Sequence, residues 1–157
     1  MVNYLIGIHA ALGEIGVFAF LWVFVEMLNP TTSRIKRAKI AALLGVIFIL
    51  ASWFIGGYSY VKNYGPNVKP LIKAGPFPAA HGIIMESKEH IFLFIPFLSF
   101  LALALLYQKD ILENNETRKS LLLLSSLIIL LGLAMAGMGY LISSSAREAL
   151  EAARAVK

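Results

Sequence analysis

Four long apolar runs leave this chain few ways to fold. They cover about Tyr4 to Leu28, Ile40 to Val61, Ile91 to Tyr107 and Leu121 to Ile142, the third helix beginning earlier, near Ala79 to Gly82. A spanning helix needs roughly 20 mostly apolar residues to cross about 30 Å of hydrocarbon. The runs are continuous and leucine-rich rather than alternating, so helices, not a barrel, satisfy the backbone in lipid. The chain is 59% hydrophobic with a mean hydropathy of +0.76, well above a soluble domain. These features predict an all-α, polytopic, integral membrane protein. Residues 1–145 form a four-helix transmembrane bundle, and 146–157 form a short C-terminal surface helix. No basic region precedes the first run and no small-residue cleavage site closes it, so it reads as a retained helix.

The connections set the expected topology. Asn29 and Pro30 end the first helix, because proline disfavours helix in the residue before it. Arg34, Lys36, Arg37 and Lys39 follow at high density, which reads as cytoplasmic and puts both termini on the outer side. The net charge of +5 lies on residues flanking apolar runs, so anionic membrane lipid is the expected partner and nucleic acid is not. Between helices 2 and 3 the sequence predicts a long outer loop, Lys62 to about Ala80, rich in proline and glycine and without a helical pattern. Tyr64, Leu71, Ile72 and Phe77 would pack it as a lid. Pro96 is expected to kink the third helix, and Gly132, Gly137 and Gly139 to seat the fourth against a neighbour.

The absence of cysteine excludes disulfides, iron–sulfur clusters, thiolate zinc sites and thioether-linked haem. The three histidines, His9, His81 and His90, are then the main candidates for chemistry. Helices 1 and 3 run in the same direction, so His9 and His90 are expected near one face as two axial ligands of a b-type haem. Gly13 and Gly16 lie on the helical stripe of His9 and would admit a flat macrocycle, with Lys69 and Lys73 able to neutralise its propionates. His81 is half a turn out of phase with His90 and reads as a gate or an additional ligand.

A non-haem metal site is the alternative use of His9, His81, His90 and Glu86, since Glu86 and His90 share a helix face. The Glu-x-x-His pair of carboxylate bundles is absent. The plainer reading is an interfacial His9 bonded to a carbonyl, a solvated His90, and carboxylates favoured by a helix N-terminus. Glu14 lies deep in the first apolar run, where an ionised carboxylate is costly. It is the candidate for proton relay, for hydrogen bonding a quinone, or for a bond to Ser52 or Tyr140. Glu26 is expected to pair with Arg34 or Arg37.

The stretch His9 to Phe18 (HAALGEIGVF), the Arg37 to Lys39 triplet and Trp53 to Tyr60 (WFIGGYSY) resemble the first helix pair of certain small four-helix membrane proteins. These group with the copper-resistance D family and the haem-binding membrane protoporphyrinogen oxidase. The resemblance covers about the first third of the chain. It implies a four-helix membrane protein with haem b as cofactor and His9 as a ligand. Together these readings predict a membrane-embedded haem protein in electron transfer, as a subunit or partner of a larger redox complex. Other membrane subunits or further copies of the chain are its expected neighbours, and a quinone is a candidate partner. The alternatives are a non-catalytic accessory subunit and a metal-dependent membrane enzyme.

Overall fold

The computed structural model describes residues 4–108 and 111–155, which are helical nearly throughout and contain no strand. The main helices are α1 (Tyr4–Leu28), α2 (Thr32–Ser59), the short α3 (Lys69–Ala74), α4 (Glu86–Leu106) and α5 (Asn115–Ala155). Four helical stretches are long and apolar enough to cross a membrane: Tyr4–Leu28, Thr32–Ala74, Ala80–Leu106 and Asn115–Ala155. α1 packs on α2 and α5, and α4 closes the ring against the same two, so α1 and α4 stand on a diagonal.

Local chemistry explains the helix starts. Thr31 accepts a hydrogen bond from the Arg34 amide (3.2 Å) and caps α2. Asn114 does the same for α5, its Oδ1 accepting from the Thr117 amide (3.0 Å). Both helices therefore begin earlier than the apolar runs suggest. The basic cluster Arg34 to Lys39 is the first turns of α2 and not a loop, because the cap outweighs the polarity of those turns. Lys109 lies outside the described residues.

Small residues set the contact between α1 and α2. A Cβ on Gly16 would lie 2.7 Å from Ile49 Cγ1, and one on Gly45 2.7 Å from the Phe20 ring. Without a hydrophobic driving force between helices in lipid, such close approach supplies the packing energy. Gly132 seats Val17 of α1 on α5 in the same way, whereas Gly137 faces open space. Phe20, Val23, Met27, Ala41, Leu106, Leu121 and Ile128 are fully sealed and form the core of the half nearer the arginines.

The expected open loop between helices 2 and 3 is itself mostly helical. Tyr60–Val68 winds in π turns, whose hydrogen bonds reach five residues, as from the Lys69 amide to the Tyr64 carbonyl. α3 follows, only 75–78 is non-helical, and a second π stretch, Ala80–Met85, leads into α4. This cap buries Tyr64, Ile72 and Ala80 against Ile142 of α5, while Phe77 stays exposed. α5 likewise runs without a break through Ser143 to Ser145, so no separate helix begins at residue 146. Ser145 satisfies its hydroxyl within the helix, donating to the Leu141 carbonyl (2.9 Å).

Candidate functional site: a buried polar cluster at the histidine end

α1, α2 and α4 bring their polar residues together at the end of the bundle where α1 begins. His9 Nδ1 lies 2.8 Å from the Ser52 carbonyl and 2.9 Å from Ser52 Oγ, and that hydroxyl donates to the His9 carbonyl (2.8 Å). A carbonyl only accepts, and the single serine proton is already used. Nδ1 must therefore carry the imidazole hydrogen, and Nε2 keeps the lone pair of the neutral ring. Gly56 makes room, since a Cβ there would lie 2.7 Å from the His9 ring. Phe92 of α4 meets His9 edge-on (6.4 Å) and stacks on Trp53 of α2 (5.6 Å, 16°).

The helical phase of α4 decides which of its charges join. Its inward stripe is Lys88, Glu89, Phe92, Ile95, Pro96 and Ser99, and its exposed stripe includes Glu86 and His90. Lys88 lies close enough to His9 for their charges to interact. Its ammonium rests on α5, 3.0 Å from where a Gly139 Cβ would be. The Tyr60 hydroxyl lies against the Glu89 carboxylate. Tyr60 stacks on Tyr64 (5.3 Å, 25°), and the Tyr64 hydroxyl meets His81 Nδ1 at 3.1 Å. His81 is 1% exposed, with Lys69 and Lys73 of α3 in electrostatic range. Three buried polar atoms of this cluster, Glu89 Oε1, His81 Nε2 and Trp53 Nε1, find no hydrogen-bond partner among the described residues.

Several expected roles change. His90 is exposed and turns back on its own helix, Nδ1 to the Glu86 carbonyl (2.6 Å). Two residues along a helix is about 200°, so Phe92 facing His9 sends His90 the other way. The pair His9 and His90 is not assembled inside the bundle. Gly13 and Gly16 seat Ser52 and Ile49 of α2, which fills the place expected for a macrocycle. Lys69 and Lys73 stand near His81 and do not serve His9. His9, His81, His90 and Glu86 do not converge: no group of three or more histidine, aspartate or glutamate side chains able to hold a metal exists among the described residues. Taken alone, the His9 imidazole still fits an iron ligand, because its Nδ1–H is anchored and its Nε2 is not.

Glu14 is exposed on α1 and reaches neither Ser52, which is held by His9, nor Tyr140, which is itself 68% exposed. Glu26 is buried and takes more partners than expected. It accepts from Arg34 Nε (2.9 Å), Arg37 Nε (2.6 Å) and Trp22 Nε1 (3.0 Å). Arg118 of α5 reaches the same end, donating to the Met27 and Leu28 carbonyls at the close of α1. Sequence spacing missed Lys88, Glu89, Tyr60 and Tyr64 as a group. The available signal was Ser99, the one polar side chain in 91–106, whose helical stripe runs back through Ile95 and Phe92 to Glu89 and Lys88.

No protein-family model matches the chain, and no curated protein or solved structure is significantly similar to it.

Proposed function

We propose that this protein is a membrane-embedded subunit of a redox complex and that its own contribution is a proton relay in the outer half of the bundle. The observation that carries the reading is the set of three buried, partner-short polar atoms on Glu89, His81 and Trp53. Unsatisfied polar groups in a low-dielectric interior are costly, and sites that hold or pass protons are where such cost is found. Facing Glu89 and its neighbours are Tyr60 and Tyr64 from the first π stretch, and Lys69 and Lys73 from α3. His81 comes from the second π stretch, and Glu86 and Lys88 from α4. Tyrosine, carboxylate and imidazole can each accept and release a proton: the Tyr64 hydroxyl meets His81 Nδ1, the Tyr60 hydroxyl lies against Glu89, and the two tyrosine rings stack between those contacts. The dense cations of early α2 favour the arginine end as cytoplasmic, with both termini outside.

Difference infrared spectroscopy of the protein in lipid nanodiscs during a pH change tests this. A carboxyl band that is lost in Glu89→Gln and displaced in Tyr60→Phe is expected. Titrating bands unaffected by either substitution would sink the relay.

A second reading rests on the anchored Nδ1–H of His9. There His9 Nε2 would hold the iron of a haem b, which would supply one-electron chemistry, and His90 would take no part in holding it. A reduced-minus-oxidised absorption spectrum with sharp bands, lost in His9→Ala and kept in His90→Ala, is the expected signature; a colourless folded protein removes this reading and leaves the relay standing.

A further inference from the structure

Six α1 residues, Gly7, Ala11, Glu14, Phe18, Leu21 and Val25, are spaced alternately by four and three, and every one is exposed. That alternation fits the seam of a left-handed helix pair; the exposed row Tyr4, Ile8, Ala11, Ile15, Phe18, Trp22 and Val25 has the same spacing, and Glu14 distinguishes the first row. The seam holds one polar group. Glu14 lies twelve residues, about 18 Å, from the Glu26 knot, which puts it near the centre of a core about 30 Å thick. Glu14 forms no ion pair among the described residues, and its carboxyl faces outward from the bundle. A carboxyl turned to hydrocarbon at that depth is costly and is found where something polar covers it.

We infer that this stripe is the interface of a parallel two-fold dimer of the chain, with the two Glu14 carboxyl groups meeting at mid-membrane. The choice of a second copy follows from complementarity. At the depth of Glu14 the other spanning segments, 41–53, 93–103 and 122–138, carry no lysine, arginine or histidine. What a second copy offers there is the same carboxyl, which is both donor and acceptor in its acid form. Two copies inserted in the same direction place each seam residue opposite its counterpart, as an isologous contact requires. Gly7 and Ala11 keep the outer part of the seam low enough for close approach, and a Cβ on Gly7 would touch nothing in its own chain.

The natural chain has no cysteine, so single cysteines report the contact without background. In lipid vesicles, oxidative cross-linking of Ala11→Cys, Phe18→Cys and Leu21→Cys is expected to exceed that of Leu123→Cys and Leu130→Cys on α5 by at least several-fold. Glu14→Leu and Gly7→Leu are expected to reduce the dimer fraction in single-molecule photobleaching. Glu14→Gln, whose amide also donates and accepts, is expected to keep it. A monomer in the bilayer, equal cross-linking on α1 and α5, undiminished dimer in Glu14→Leu, or co-purification of a different subunit bearing a cation opposite Glu14 would each overturn the proposal.

Discussion

His9 shows how much a single hydrogen atom constrains. The Ser52 carbonyl and hydroxyl together assign the ring proton to Nδ1. Solid-state nitrogen spectroscopy of the neutral ring is expected to show that tautomer, and Ser52→Ala to broaden it by removing one of the two acceptors. Glu26 is the other residue whose surroundings leave little freedom, with two guanidinium groups and an indole N–H on one carboxylate. Glu26→Ala is expected to lower the thermal midpoint more than Arg34→Ala, because truncating the shared acceptor removes all four hydrogen bonds it accepts while truncating Arg34 leaves Arg37 and Trp22 on the carboxylate. Equal losses would mean that Arg34 alone carries the contact. The partners of Glu26 were legible in the sequence, since the helix stop at Asn29 and Pro30 folds the nearby cations back onto α1. Those of Glu89 were not, because spacing orders residues around a helix without saying which side faces in.

At the scale of elements, the apolar runs located all four spanning helices, and α1 matches its expected limits. The differences lie where polar residues are helical for local reasons. Thr31 and Asn114 start α2 and α5 early, and Ser145 keeps α5 intact by bonding its own backbone. Hydropathy registers none of these. The cap escaped for a related reason: proline and glycine argue for loop, yet Pro66 and Pro70 sit in turns that do not need their amide hydrogens in the usual pattern. Glycines separate into those that pack and those that do not. Gly16→Val is expected to cost about 1–3 kcal/mol by overpacking Ile49, measured by unfolding in mixed micelles. Gly57→Ala, facing open space, is expected to stay within about 0.5 kcal/mol of the natural protein.

For the whole molecule, the sequence carried the class of fold and the cluster of chemistry at one end, but not the helical phase of α4 that turns His90 away from His9. Sidedness is open to a direct check. Lys62→Cys is expected to react with an impermeant maleimide on intact cells and Lys36→Cys only after permeabilisation; the reverse pattern would invert the proposed orientation. The two π stretches that join the cap to α2 and α4 carry a further meaning as stored chain. Each turn there holds more backbone than an α turn needs, which shifts the helical phase of whatever follows it. One residue of such slack is about 100° of rotation, the angle that divides Glu89 from His90 on α4. The stretch Ala80–Met85 thus sets the phase at which α4 enters the bundle, with the Glu89 carboxylate turned inward and the His90 imidazole outward.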